Sequence, residues 1–338
     1  MKIIKTKKKF LTNIYINNFF SLKNIIKNKN KFIVLDYNIY LFFFKKIKKE
    51  LKKFKFLIVP FGENFKNINI LKIIWKYMIK KKINKNYLTI IIGGGVLGDI
   101  LGFICSSYFR GIKYCLFPTT LLSQIDSSIG GKNAINFFSK NTIGNISNPN
   151  FIFINFNIIF YMKKKEFIDG YGEIIKYSII NNKKFFFYIY KKNNLKKIIT
   201  RSCYIKCKII SQDYYESNYR TILNLGHTYA HCIENNKILK YSHGKSVIIG
   251  IIFSFFISSY FYKINLKILK KIFFLFLKFN FYIKNILNFS INMIDKIILD
   301  KKFDNKINYI LIKNIGNCIK KNIKKKQLIF FLKKFYEI

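Results

Sequence analysis

A chain of 338 residues that is 51% hydrophobic carries enough apolar side chains for a buried core in two lobes, which excludes a disordered tail. Its 62 Lys plus Arg against 15 Asp plus Glu give a formal charge of +47, yet the only arginines are Arg110, Arg201 and Arg220. Specific nucleic-acid recognition favours the arginine fork, so lysines scattered among Ile, Phe, Tyr and Asn point to a chain-wide compositional bias and away from a specific nucleic-acid partner.

The basic start, Met1 to Phe20, holds no continuous apolar core or small-residue cleavage pattern, so a cytoplasmic location is expected. Strands are predicted at Lys31 to Asp36, Phe54 to Pro60, Tyr87 to Ile92, Ile112 to Pro118 and Phe151 to Phe156, where β-branched and aromatic runs meet turn-prone residues. Lysine-rich, helix-compatible stretches separate them, which predicts an α/β lobe with a mostly parallel sheet over residues 1–160. From about Lys163 longer amphipathic runs predict a mainly α-helical lobe over residues 161–338. The uncharged stretch from Ser246 to Tyr262 is just short of a comfortable membrane span and contains Gly250 and several serines, so a buried helix is expected and no membrane partner. Six cysteines (Cys105, Cys115, Cys203, Cys207, Cys232 and Cys318) form no paired CxxC arrangement and read as reduced thiols.

Chemistry concentrates in two places. After the strand at Tyr87 to Ile92, the segment GGGVLGD places Gly93, Gly94, Gly95 and Gly98 where a tight turn can bring backbone N–H groups against a pyrophosphate, a Rossmann-like cofactor site. Asp99 is electrostatically poor against a pyrophosphate, so it is expected to face a sugar hydroxyl, a ring amide or the helix backbone, and Asp36 is a candidate for adenosine ribose. All three histidines lie within one short interval: His227 and His231 share a helical face, and His243 follows in YSHGKS. Thr228 occupies the place of the glutamate in HExxH, which removes the zincin reading. Two histidines and the carboxylate of Glu173 would leave an open position on Zn²⁺ for Lewis-acid work, while the same histidines can also serve as packing or acid/base groups.

Taken together, GGGVLGD, YFRGI, PTTLLSQIDSSIGGKNAIN, KNTIG, GEIIKY, RSCYIKCKII, ESNYRTILNLGHTYAHCIE, YSHGKSV and DKK at Asp300 to Lys302 resemble the 3-dehydroquinate synthase family of sugar-phosphate cyclases, from roughly Asp36 to Lys302. The resemblance implies a two-lobed homodimer using NAD and a divalent metal, normally Zn²⁺ with Co²⁺ able to substitute. It implies conversion of 3-deoxy-D-arabino-heptulosonate 7-phosphate to 3-dehydroquinate and phosphate, in the shikimate pathway. The implied sequence is oxidation at C5, phosphate elimination, re-reduction, ring opening and intramolecular aldol closure, with NAD regenerated in each turnover.

Carried over by motif, Glu173, His227 and His243 resemble the metal ligands. Asp126, Lys132, Asn141, Lys176, Lys206, Arg220, Asn224, His231 and one or both of Lys301 and Lys302 resemble the groups around the substrate. Arg110 resembles the arginine that reaches the phosphate from a partner subunit. Asp36, Glu63, Lys66, Gly94, Gly95, Asp99, Thr119, Thr120, Asp126, Lys132, Lys140 and Asn141 resemble the cofactor-binding set. An Asp126–Lys132 loop salt bridge is the structural alternative for that pair. Asn133 departs from the family's Thr after GGK, the interval from Lys132 to Lys140 is shorter, and Gly62 to Asn64 with Lys66 resembles GExxK loosely. Other sugar-phosphate cyclases, a metal-dependent alcohol dehydrogenase and a basic nucleic-acid module are the rival readings.

Overall fold

The computed structural model describes residues 2–5, 12–17, 30–42, 51–191, 194–234, 241–264, 270–272, 274 and 306–336. Its residues form two compact units, Met1–Phe167 with Lys206–Tyr215, and Ile168–Ile205 with Glu216–Ile338.

In the first unit the apolar runs become strands β1 (Lys2–Lys5), β2 (Asn13–Asn17), β3 (Asn30–Asp36), β4 (Lys55–Val59), β5 (Tyr87–Gly93) and β6 (Lys113–Pro118). The hairpin β7 (Lys132–Phe137) and β8 (Ser139–Ile146) follows, and then β9 (Phe151–Asn155). Seven of them form one sheet in the order β1-β2-β9-β6-β5-β3-β4, parallel throughout except for the β1–β2 pair. Near-continuous burial along β3 and β5 is what a parallel sheet covered on both faces requires. Ile33, Leu35, Leu88, Ile90 and Phe153 form one buried cluster, each burial contributing about 1.5–3 kcal/mol. Helix α1 (Ile68–Lys80) is started by Asn67, whose side chain accepts from the backbone N–H groups of Asn69 and Ile70, and it buries Leu71, Ile74 and Met78 at helical spacing. Helix α2 (Gly95–Ser107) follows β5 directly. The pairings Leu35↔Ile92 and Gly93↔Pro118 align the carboxyl ends of β3, β5 and β6, the edge where open α/β sheets bind ligands.

Asn133 has a definite task. Buried at the base of the β7–β8 hairpin, its Nδ2 donates to the carbonyls of Gly131 and Ser147, both at 3.0 Å. Gly102 on α2 makes room for it, since a Cβ there would lie 1.9 Å from Asn133 Oδ1. An amide at this position therefore closes the hairpin base with hydrogen bonds that a threonine is too short to span in the same way.

The second unit holds most of α3 (Lys164–Asn181), then α4 (Lys183–Lys191) and most of α5 (Leu195–Gln212). Beyond these come α6 (His227–Glu234), α7 (His243–Phe261) and α8 (Lys325–Tyr336). A hairpin of β10 (Lys306–Asn314) and β11 (Asn317–Lys324) interrupts the helical texture that composition predicted. Its signal is local: burial begins at Ile307, skips exposed Asn308 and then runs unbroken from Tyr309 to Ile312, and Gly316 turns at φ 91°. The hairpin is tied down by Gly316 N donating to Ile179 O at 2.7 Å and Ile312 N donating to Ser258 Oγ at 2.9 Å.

Helix α7 is long and apolar enough to cross a membrane by length and composition, but 72% of its most apolar window is buried inside the protein. Its serines satisfy themselves within the helix, Ser246, Ser254 and Ser258 each donating to the carbonyl four residues back. It runs against the backbone beside α6 so closely that a Cβ on Gly250 would lie 1.9 Å from Gly226 O. Gly250→Ala should therefore destabilise the protein by about 1–3 kcal/mol or more through overpacking, read as a lowered denaturation midpoint in urea.

Candidate metal centre and cofactor cavity

Glu173 lies on α3, His227 opens α6 and His243 opens α7, and each has a glycine as its chain neighbour. Those glycines let backbones touch. A Cβ on Gly172 would stand 2.6 Å from Gly244 O, and one on Gly244 would stand 2.5 Å from Asp169 Cα. Gly226, at φ 79°, sits against Val247 and Gly250 on α7. The contacts draw one ligand atom from each of Glu173, His227 and His243 within 4.8 Å of one another.

Glu173 is fully buried, and its Oε1 lies 3.2 Å from His243 Nε2 and 3.5 Å from His227 Nε2. Its Oε2 forms an ion pair with buried Lys176. The far nitrogen of each imidazole is also engaged. His227 Nδ1 is 3.2 Å from the carbonyl of Leu225, which can only accept, so the proton sits on Nδ1 and Nε2 offers a lone pair. His243 Nδ1 is 2.7 Å from Glu234 Oε1. Burial, reinforced by Lys176 and only partly opposed by Glu173, lowers the His227 pKa to about 3, which keeps its imidazole neutral. At His243 burial disfavours the charge, but hydrogen bonds to Glu173 and Glu234 outweigh it and raise the pKa to about 10. A convergent set of two imidazole nitrogens and one carboxylate oxygen fits a divalent ion such as Zn²⁺.

Other residues singled out in the sequence are distributed around both units. In the second unit Arg220 is buried, His231 is exposed with its ring 5.7 Å from that of His227, and Asn224 donates to Glu216 Oε1 at 2.8 Å. In the first unit Lys206 Nζ donates to Asp126 Oδ1 and to its backbone carbonyl, both at 2.6 Å. Lys132 and Lys140 stand exposed on the β7–β8 hairpin. Arg110, at φ 60°, lines a polar depression with Lys113, Asn145 and Asn148. Lys301 and Lys302 fall outside the described residues.

A cavity of about 420 Å³ in the first unit is lined by Asp36, Gly94, Gly95, Thr119 and Thr120. The glycines act through space and not through a strained turn, since Gly94 has φ −74° and neither Gly93 nor Gly95 has a positive φ. A Cβ on Gly93 would lie 2.9 Å from Asp36 Oδ2 and one on Gly95 2.6 Å from Ser127 Oγ. With α2 beginning at Gly95, its free N–H groups meet the cavity where an anion is favoured. Asp36 accepts from Ile39 N at 2.9 Å, and burial raises its pKa against that bond.

Asp99 is paired within the protein. It meets the ammonium of buried Lys66 at 2.5 Å, and Lys66 also donates to Asn141 Oδ1. Asn136, which sequence reading passed over, donates to Glu63 Oε1 at 2.8 Å and accepts from Asn141 N at 2.9 Å. Glu63, Lys66, Asp99 and Asn141 thus belong to one polar network.

With this geometry the comparisons agree. The family model for the 3-dehydroquinate synthase N-terminal region matches residues 56–169, and that for the C-terminal region matches residues 170–303. The chain belongs to the 3-dehydroquinate synthase family. It is 36% identical over 270 residues to the 3-dehydroquinate synthase of Clostridium tetani, covering 75% of this chain and 71% of that protein. With the Campylobacter concisus enzyme of that name it is 34% identical over 290 residues, covering 83% and 84%. The match to the Pelagibacter ubique 3-dehydroquinate synthase is 43% identical over 206 residues but spans only 55% of that protein and 56% of this chain. Among solved structures, a 2-deoxy-scyllo-inosose synthase complexed with carbaglucose-6-phosphate, NAD⁺ and Co²⁺ superposes with a TM-score of 0.84 at 19% identity, covering 98% of this chain and 99% of that one. The 2-epi-5-epi-valiolone synthase of Streptomyces hygroscopicus with NAD⁺ and Zn²⁺ bound gives 0.83 at 17% identity, covering 99% of both. These two share the fold.

For this member of the 3-dehydroquinate synthase family, three residues of these sites went unread in the sequence. Asp169 Oδ1 accepts from Gly244 N at 2.9 Å and so anchors the first turn of α7 next to His243. Glu216, at φ 61°, holds Asn224, and Asn136 braces the Lys66 network. The signal available for the first two was their charge: in a chain with 15 acids, an acid beside a motif is informative.

Burial pushes the Asp99 pKa up to about 6 from 3.8, against the attraction of Lys66. A folded value above the unfolded one means that its contribution to stability is complete below pH 3.8 and is lost as the pH rises through about 6. The stability difference between Asp99→Asn and the parent should accordingly shift in the variant's favour between those pH values, as measured by urea denaturation at a series of pH values; a constant difference contradicts the buried-carboxylate assignment.

Proposed function

We propose that the chain is an NAD- and divalent-metal-dependent 3-dehydroquinate synthase, a lyase that converts 3-deoxy-D-arabino-heptulosonate 7-phosphate into 3-dehydroquinate and phosphate. The observation that carries this reading is the convergence of Glu173, His227 and His243 in a family whose similar members bear that name. Three protein donors leave coordination positions for two substrate oxygens, which suits catalysis and not closed structural binding. When bound, the ion supplies polarisation of adjacent substrate oxygens and NAD supplies a transient acceptor for hydride.

The remaining work falls to side chains. The Gly94–Gly95 cradle and the start of α2 receive the pyrophosphate, and Thr119 and Thr120 contribute hydroxyls on the same cavity wall. The Asp36 carboxylate accepts from adenosine ribose hydroxyls and disfavours a 2′-phosphate by like charge, which selects NAD over NADP. Glu63, Lys66, Asp99, Lys140 and Asn141 serve the cofactor through the polar network and the hairpin. Asp126, Lys132, Lys176, Lys206, Arg220, Asn224, His231, Lys301 and Lys302 serve the substrate. Lys206 and Arg220 are both buried cations, suited to neutralising a carboxylate or phosphate dianion, and Asn224 orients a hydroxyl without adding charge. Arg110 is assigned to the phosphate of a partner subunit's site in a cytoplasmic homodimer. Zn²⁺ is the native ion in this reading.

The test is phosphate release from the heptulosonate phosphate by purified protein with Zn²⁺ and substoichiometric NAD, with the organic product identified. Many turnovers per NAD, 3-dehydroquinate as product and no net NADH are expected. Glu173→Ala should lower the rate by about 10³-fold or more, since metal stabilisation of developing charge is worth several kcal/mol. Accumulation of NADH without phosphate release, or turnover of a different sugar phosphate alone, contradicts the proposal.

A further inference from the structure

The two histidines of the metal centre are held by different outer partners. His227 Nδ1 meets a neutral carbonyl, Leu225 O, at 3.2 Å, whereas His243 Nδ1 meets the carboxylate of Glu234 at 2.7 Å, a shorter and charge-assisted bond. Glu234 and His227 lie on the same helix, α6, so one helix carries a metal ligand and also reaches the second imidazole. The Glu234 side chain is nine-tenths buried in that contact. In a chain with 62 basic and 15 acidic residues, one of the few acids is thus committed to an imidazole of this centre.

From this we infer that Glu234 is a positioning residue for the metal centre: by accepting the Nδ1 proton of His243 it fixes the ring, directs the Nε2 lone pair at the ion and strengthens that donor with a second negative charge. Outer-shell carboxylates on metal-ligating imidazoles act in this way, and their loss costs about 10–100-fold in metal affinity. The inference rests on the metal-centre reading and adds to it a residue that contacts neither substrate nor ion.

The experiment measures Zn²⁺ affinity of the full-length protein by chelator competition, together with the visible spectrum of the Co²⁺-loaded form. Glu234→Gln keeps an oxygen that can accept from Nδ1 but removes the charge, and Glu234→Leu removes both. Affinity should fall by about 10–100-fold in Glu234→Leu and by less in Glu234→Gln, with an altered cobalt spectrum in the leucine variant and partial recovery in Glu234→Asp. Glu173→Ala and His227→Ala run in parallel separate the two levels. If these lose affinity while all Glu234 variants keep the parent's affinity and cobalt spectrum, the role of Glu234 is overturned and the metal centre stands. Should Glu173→Ala and His227→Ala also bind Zn²⁺ as tightly as the parent, the metal-centre reading itself falls. Where the leucine variant does not fold, the near-isosteric glutamine variant decides: parental affinity and spectrum there overturn the contribution of the charge.

Discussion

Backbone-to-backbone approach at glycine is the constraint on which the second unit depends. Gly172 meets Gly244, and Gly226 meets Gly250, at separations that leave no room for a Cβ. Three of these glycines are chain neighbours of Glu173, His227 and His243, so the packing that joins α3, α6 and α7 is also what sets the ligand geometry. Side chains adjust by rotamer, whereas a backbone contact fixes both partners, and a set of donors held this way stays converged with little reorganisation. The apolar girth of α7 follows from the same arrangement: a helix surrounded by packing partners has no face to spare for water.

Electrostatics then decides which of the scarce acids matter. Glu173 lies between Lys176 and two imidazoles, Glu234 backs His243, Asp99 faces Lys66, and Asp126 faces Lys206. Each is a buried or part-buried carboxylate with a defined cation or imidazole beside it. The excess lysine forms a screened positive field outside these pairs, which governs nonspecific attraction to polyanions but not the chemistry of the sites.

The strands at the centre of the first unit were legible because β-branched runs ending in Asp36, Gly93 and Pro118 carry both the burial pattern and the stop signal. The edge strand β1 and its neighbour β2 were not, since their lysine- and asparagine-rich texture is that of the whole chain. The β10–β11 hairpin was missed for a related reason: its buried run from Tyr309 to Ile312 is short and lies in an isoleucine-rich stretch that also fits helices. At the sites, residue types marked by chemistry stood out, as with the three histidines and Glu173. What could not be read was pairing across long sequence separations. Lys66 with Asp99, Lys206 with Asp126 and Gly102 with Asn133 are products of tertiary structure, and nothing in local spacing announces them. Gly94 and Gly95 of GGGVLGD line the cavity of the first unit, and what Gly93 and Gly95 supply is clearance for Asp36 and Ser127 and not the dihedral freedom that glycine first suggests.

The central claim is a divalent ion held by two imidazoles and one carboxylate, and X-ray absorption at the zinc edge of the Zn²⁺-loaded protein tests it most directly. The account predicts a first shell of nitrogen and oxygen only, at about 2.0–2.2 Å, with the outer-shell scattering of two imidazole rings. A sulfur shell at about 2.3 Å, or a single imidazole, would contradict it and move the ion to a different set of residues.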